Sequence, residues 1–299
     1  LGISVLTPRL GLFFWRESGT SYSAPFVANL AAKIIKKYPT ISMQAVKAII
    51  INSATQPTLS QKFDVVPKPV LKRLLGKGIP DEGLCLNSTE NEVTLLIEGK
   101  IDPETIQSYK LKLPDYLARS DRKVALLEFN ATLCFKFKPL QYTQYTYCPI
   151  HIGFGIFRNK DLSSINGGTA GDTFDDISGE QKTEGYALSE GWSQDPYYKD
   201  KLLCNCQKMR FTVSKKKILD EDSTFKVVVS SKFSKLLSAR QKRDYLHEFE
   251  FSLVVRVKEN PKGGQFSGSL YEGLVVENDL ITLAQGDAST DAIAEADIE

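Results

Sequence analysis

Two runs of apolar residues near the start of the chain follow the spacing of amphipathic helices. After Ser21, apolar residues recur at intervals of one, three and four positions: Phe26, Val27, Leu30, Ala31, Ile34, Ile35 and Tyr38. This spacing predicts a helix with one buried face that ends before Pro39. In the second run, Ser42 precedes apolar residues at Met43, Val46, Ile49 and Ile50. The second run therefore predicts a second helix with Ser42 as its N-cap.

Beyond about Leu86 the pattern changes to partial alternation of polar residues with β-branched and aromatic ones. The segments are EVTLLIEG, TIQSYKLKL, KVALLEFNATLCFKFK, TFKVVVSS and HEFEFSLVVRVKE. They predict short strands with no helical pattern between them, which favours a β-sandwich or jelly roll. The fold class is therefore α/β followed by all-β. Residues 1–86 are predicted as part of an α/β domain and residues 87–286 as a β-sandwich.

The segments that connect these elements are rich in Gly, Pro, Asp and Ser. Gly76 and Gly78 flank Lys77 and indicate a tight turn or a close backbone approach. Residues 163–185 are predicted to form a long surface excursion, and residues 287–299 a disordered acidic tail.

Composition narrows the classes of partner. The chain has 299 residues, 42% of them hydrophobic, and a formal net charge of +2. This small net charge provides no general attraction for nucleic acid or an anionic membrane, so neither is expected as a partner. The apolar runs are too short to span a bilayer. Five cysteines, an odd number, favour reduced thiols and a cytoplasmic location. Because the first residue is Leu, we expect a fragment of a longer protein.

Ser21 is a candidate nucleophile because it lies at the predicted start of a buried helix. Backbone N–H groups point outward there and the helix dipole favours negative charge, so an oxyanion would be stabilised. A serine hydroxyl needs a base to take its proton. The two histidines, His151 and His247, both lie downstream on segments that resemble strands. They are predicted to be packed or surface residues, not bases.

The stretch GTSYSAPFVANLAAKIIKKYPTISMQAVKAIIINSAT resembles the nucleophile segment of the subtilisin-like serine proteases, the subtilases. It has Gly-Thr-Ser, Ala before Pro25, a helix ending in Tyr-Pro, and a second helix closing in Ser-Ala-Thr. Further on, LLGKGIP resembles the Gly-x-Gly segment of many members. The resemblance implies that residues 1–86 are the C-terminal part of the peptidase domain.

The resemblance also implies roles for three residues. Ser21 would be the nucleophile of a serine endopeptidase and its own N–H one oxyanion donor, while Gly19 and Thr20 would border the cleft for a protein or peptide substrate. The family's aspartate, histidine and oxyanion asparagine have no matching positions here. We therefore expect this chain alone to be inactive, and we expect Phe26, Ile34 and Ile49 to face a core that is largely missing.

The second half carries a less specific resemblance. SYKLKLPDYL, RKVALLEFNATL, EGWSQDP and CNCQK are similar to the C-terminal domain of a group of bacterial cytoplasmic-type subtilases. Members of that group can be encoded beside an ATPase partner, and some are linked to defence against phage. The β-domain would then either dock a partner, such as an ATPase, or support the catalytic domain. A pseudoprotease with an interacting β-domain is the alternative to an active enzyme; in a third interpretation Ser21 is only a helix cap of a binding protein.

Other candidate sites are weaker. Cys204 and Cys206 lack a second ligand pair for zinc. Asp172, Asp175 and Asp176 lack the ligand order of a calcium loop, although many subtilases bind calcium. The clusters SKKK and ARQKR have no aromatic platform for bases, and they are predicted to be exposed turns or a helix face. No cofactor or metal is therefore assigned.

Overall fold

The computed structural model describes residues 3–6, 14–17, 19–56, 75–119, 123, 126–140, 148–158, 205–220, 222–234, 237–260 and 269–286. The chain divides into two compact units, Leu1–Ile41 and Ser42–Glu299. The boundary expected between residues 86 and 87 stays a prediction. The expected surface excursion at 163–185 and the acidic tail at 287–299 lie outside the described residues.

The first unit contains a two-stranded antiparallel sheet and one long helix. Strand β1 (Ile3–Leu6) pairs with strand β2 (Phe14–Glu17). Helix α1 (Thr20–Lys37) follows, so the first predicted helix is confirmed. It ends at Tyr38, whose N–H donates to the carbonyl of Ile34 over 2.8 Å. Two lysines in its last turn complement the negative end of the helix dipole.

The predicted buried face of α1 is only partly correct. Leu30 and Ile34 are buried, whereas Phe26, Val27 and Ile35 remain 63%, 41% and 36% exposed. The described part of this unit is one hairpin and one helix. The 3.6-residue spacing therefore identified the helix correctly but overestimated its burial.

The second unit contains helices α2 (Met43–Ser53) and α3 (Glu82–Leu86), followed mainly by strands. The strands are β3 (Glu92–Ile101), β4 (Ile106–Lys112), β5 (Leu127–Phe135), β6 (Ile150–Arg158), β7 (Cys206–Val213), β8 (Thr224–Phe233), β9 (Phe249–Glu259) and β10 (Ile281–Thr282). A 3-10 helix spans Asp115–Arg119, and α4 (Lys215–Asp220), α5 (Ala239–Arg243) and α6 (Leu270–Glu277) are short. The five predicted strands are confirmed. The expectation of no helices between strands is wrong.

The strands form two antiparallel sheets that share one hydrophobic core. The larger sheet has the order β10-β3-β9-β5-β7 and the smaller one β4-β8-β6. Side chains alternate along each strand, so Leu95 of β3, Phe129 of β5 and Val255 of β9 enter the same buried cluster as Phe154 of β6 and Val227 of β8. The mixture of helices and antiparallel sheets agrees with the expected fold class, and the jelly-roll topology stays a prediction.

Helix α2 lies on the other face of the larger sheet, against β5 and β9. The predicted N-cap is confirmed, because the Ser42 hydroxyl accepts a hydrogen bond from the Ala45 N–H over 3.1 Å. Of the three residues expected to face a missing core, Ile34 and Ile49 are buried, 0% and 1% exposed, whereas Phe26 is exposed. For Ile49 that expectation is wrong because β5 and β9 of the larger sheet pack against α2.

The segment before α3 contains the tight turn that its glycines predict. Gly76 and Gly78 have φ angles of 59° and 104°, which favour glycine. A Cβ at Gly78 would lie 2.1 Å from the carbonyl oxygen of Thr55. This close approach permits the two hydrogen bonds between Thr55 and Ile79, both 2.9 Å long.

Candidate functional site

Ser21 is an exposed residue in the first turn of α1. Gly19 is the N-cap and has extended backbone, and it provides no side-chain oxygen to cap the helix. The first N–H groups of a helix have no acceptor within it, so those of this turn face outward from the helix end. The predicted site residues Gly19, Thr20 and Ser21 are thus consecutive and exposed at a helix N-terminus.

Pro25 modifies the backbone around Ser21. Helix α1 begins at Thr20, so Pro25 is its sixth residue and lies inside the helix, beyond the first turn. Because proline has no N–H, the Ser21 carbonyl does not receive the usual helical hydrogen bond from four residues later. The backbone of Ser21 is therefore held less firmly than an ordinary position in a helix.

The first turn of α1 contains no acidic residue, and its last turn contains Lys36 and Lys37. A negative charge that develops at the Ser21 side chain would therefore meet the positive end of the helix dipole without a repelling carboxylate from that turn. The arrangement is chemically suited to an oxyanion.

The C-terminal end of α2 is held by a lysine from the adjacent sheet. The ammonium of Lys208, on β7, donates to the carbonyls of Ile51, Asn52 and Ala54 over 2.9, 2.9 and 2.6 Å. These are carbonyls that a helix end leaves without partners, and a cation there also complements the dipole. Burial, ahead of nearby positive charges, lowers the pKa of Lys208 to about 8.

Asn52 adds a second set of contacts between α2 and the sheet. Its side-chain amide donates to the Asn130 carbonyl over 2.7 Å, and the amide of Asn130 donates back to the Asn52 carbonyl over 2.8 Å. Both residues are buried. Sequence reasoning missed this contact, although an asparagine three residues after Ile49, on the apolar face of the helix, was the available signal.

An ion pair between the buried Arg256 and the partly buried Glu92 lies beside this contact. The Arg256 Nε lies 3.3 Å from a carboxylate oxygen of Glu92, whose other oxygen lies 3.0 Å from the Lys258 ammonium. Burial lowers the pKa of Arg256, and the Glu92 carboxylate acts in the opposite direction. Within the described residues, Nη1 of Arg256 has no hydrogen-bond partner. The charge of Arg256 therefore depends strongly on Glu92.

The two histidines lie in the second unit. His151 is a buried residue of β6, as expected for a packed histidine. His247 is exposed and precedes β9, so the expected strand position is wrong for it. Its ring contacts Phe249 edge-to-face, with the centroids 4.6 Å apart. His247 is a surface residue beside an aromatic ring.

The burial of His151 predicts acid sensitivity. Desolvation lowers the pKa of His151 to about 3 from an ordinary 6.5. Below pH 6.5 the unfolded chain therefore binds the proton more readily than the folded chain does. Stability should fall with pH across the window from 6.5 to 3, by about 2 kcal/mol at pH 5. Urea unfolding of the 299-residue chain at pH 7 and pH 5 measures this loss.

A matched pair of variants isolates the histidine. His151→Phe removes the titrating group and should reduce the loss between pH 7 and pH 5. His247→Gln, which replaces the exposed histidine, is the matched control. An equal loss in both variants would assign the acid sensitivity to other groups.

The candidate metal ligands are only partly described. Asp172, Asp175, Asp176 and Cys204 lie outside the described residues. In the part of the chain that the structure describes, no group of three His, Cys, Asp or Glu side chains could hold a metal ion.

Comparison with known proteins supports the resemblance over the first part of the chain. The model of the Subtilase family matches residues 8–78. An uncharacterized protein, y4bN of Sinorhizobium fredii (strain NBRC 101917 / NGR234), is 27% identical over 157 residues. That match covers 52% of this chain and 36% of the relative, so the matched segment spans about a third of the relative's length. None of the described helices is both long and apolar enough to cross a membrane.

Proposed function

We propose that Ser21 is the nucleophile of a serine endopeptidase of the subtilisin-like type, contained in a longer protein. One observation carries the proposal: the segment that matches the Subtilase family includes a serine that is exposed in the first turn of an 18-residue helix. A serine that served only as a helix cap would occupy the N-cap, but Gly19 holds that position.

The proposed reaction is acyl transfer to water. The Ser21 Oγ attacks the carbonyl carbon of a peptide bond while a histidine upstream in the longer protein takes the hydroxyl proton. The oxyanion that forms accepts a hydrogen bond from the Ser21 N–H at the helix end. The histidine returns the proton to the leaving amine, and water then hydrolyses the acyl-enzyme. Gly19 and Thr20 border the cleft in this proposal.

The β-domain would support the peptidase segment through α2. Lys208 and Asn130 hold the end of that helix, and the chain between α1 and α2 is only five residues long. The proposed substrate is a protein or peptide; an ATPase partner and a cytoplasmic location stay predictions.

Covalent labelling tests the proposal. A fluorophosphonate should form one adduct, located at Ser21, with the longer protein, and none with its Ser21→Ala variant. Ser23→Ala is a matched control on the same exposed turn and should keep the adduct. Intact mass and peptide mapping provide the measurement. No adduct on the folded longer protein would overturn the proposal and favour a pseudoprotease with an interacting β-domain.

A further inference from the structure

Two cysteines lie side by side on the larger sheet, on the face that α2 covers. Cys134 of β5 is opposite Cys206 of β7 in the antiparallel register. Cys134 is fully buried, and Cys206 is 7% exposed. Both are thiols in the structure. The strand β7 is an edge strand of the described sheet, so Cys206 lies at the margin of the sheet.

The register places the two residues at a spacing that suits a disulfide. The Phe135 N–H donates to the Asn205 carbonyl over 3.1 Å, so the adjacent pair, Cys134 and Cys206, is of the non-hydrogen-bonded kind. Directly opposite residues of that kind have Cα atoms about 4.5 Å apart. Bridged cysteines have Cα atoms roughly 4.4–6.8 Å apart. The bond can therefore form without movement of the strands.

The surroundings favour the thiolate of Cys206. A hydrogen bond with Cys134 is the main cause that lowers the pKa of the Cys206 thiol, and the positive charges of Lys77, Lys47 and Lys208 act in the same direction, against the effect of burial. The thiolate is the reactive form of cysteine. Cys206 is thus the more reactive and the more accessible member of the pair.

Two other described cysteines have different surroundings. Burial raises the pKa of Cys85 to about 11, and its sulfur lies 3.0 Å from the Ser53 hydroxyl. Cys148 is buried, and its thiol donates to the Ile150 carbonyl over 2.9 Å. Neither has a cysteine opposite it in a described strand pair, so they are useful controls.

We propose that Cys134 and Cys206 are a redox-sensitive pair that a small hydroperoxide converts to a disulfide. The Cys206 thiolate attacks an oxygen of the hydroperoxide, the O–O bond breaks, and a sulfenic acid and an alcohol or water result. The Cys134 thiol then attacks the Cys206 sulfur, and the sulfenic oxygen leaves as water. The two sulfurs lose two electrons and the hydroperoxide gains them. A small thiol reverses the bond by exchange.

The disulfide would fasten the edge strand β7 to β5 beside α2. It closes a loop through residues 135–205 and so reduces the conformational entropy of the unfolded chain. Since the register accommodates the bond, oxidation should raise the Tm of the 299-residue chain by about 5 °C or more. Lys208 lies two residues after Cys206 and contacts the end of α2. The disulfide would therefore also restrict the movement of Lys208.

Peptide mapping of the full chain tests the proposal. The chain is treated with hydrogen peroxide, alkylated under denaturing conditions and digested with trypsin. The expected product links the peptide 124–136, which contains Cys134, to the peptide 202–208, which contains Cys204 and Cys206. Tandem mass spectrometry assigns the linked sulfur within the second peptide, and dithiothreitol should remove the link.

Four variants make the test specific. Cys204→Ser and Cys148→Ser should keep the link, whereas Cys134→Ser should leave a sulfenic acid at Cys206 that dimedone captures. The proposal is overturned if Cys206 bonds to Cys204, if both thiols remain alkylated, or if the link survives Cys206→Ser. If the disulfide forms but the Tm stays the same or falls, the argument that the native register accommodates the bond would be contradicted. Because tandem mass spectrometry of the unaltered chain identifies the bond, the result does not depend on the variants folding.

Discussion

Replacing Ser21 with alanine is expected to lower the kcat of the longer protein by about a millionfold, the order of loss that follows removal of the catalytic serine in subtilisin. The reason is chemical: without the Oγ no acyl-enzyme can form, and only the oxyanion donor and substrate binding remain. Steady-state hydrolysis of a peptide substrate by the purified longer protein measures the loss.

The matched control for this prediction is Ser23→Ala. Ser23 is exposed two residues further along α1 and has no part in the proposed chemistry. Its kcat should stay within about twofold of the unaltered protein, since most exposed substitutions have small effects. Thermal unfolding should show that both variants are folded. If Ser21→Ala keeps most of the activity, Ser21 is not the nucleophile.

Replacing Glu92 with glutamine is expected to lower the free energy of unfolding by about 3 kcal/mol. The substitution leaves the buried charge of Arg256 with only the weaker attraction of Glu128 and Asp81. Arg256 is 6% exposed, so water cannot replace the lost carboxylate. The substitution keeps the shape of the side chain, so the effect measures the charge. Urea unfolding of the 299-residue chain at pH 7 provides the measurement.

Glu248→Gln is the control for Glu92. Glu248 forms an ion pair with Lys100 over 3.7 Å, but both side chains are more than half exposed. Exposed pairs contribute about 0–1 kcal/mol, so the control should change stability little. Similar losses in the two variants would contradict the argument that burial makes Glu92 important.

Local signals explain the parts of the fold that the sequence predicted correctly. The N-cap Ser42 and the spacing of Val46 and Ile49 depend on neighbours along the chain, so α2 was predictable. Partial alternation of polar residues with β-branched and aromatic ones made β3 and β9 predictable in the same way. By contrast, β7 has polar residues such as Lys208 on the face that α2 covers, so it gave no hydrophobic signal.

Long-range contacts explain what was missed. A lysine in a strand ordinarily indicates a solvated position, yet Lys208 contacts α2 more than 150 residues away. The pairing of Cys134 with Cys206 depends on the register of two strands, which spacing along the chain does not reveal. For the candidate site, the sequence correctly indicated that Ser21 lies at the beginning of a helix. The position of Pro25 inside that helix became clear only from the helix start at Thr20.

The contact between α2 and the sheet also constrains the order of events during synthesis. Asn52 contacts Arg256, which lies 204 residues later in the chain. At about 5–20 residues per second, α2 leaves the ribosome roughly 10–40 s before β9 is complete. During that interval its apolar face has only part of its final partner. The complete burial of α2 therefore has to wait until the last long strand has been synthesised.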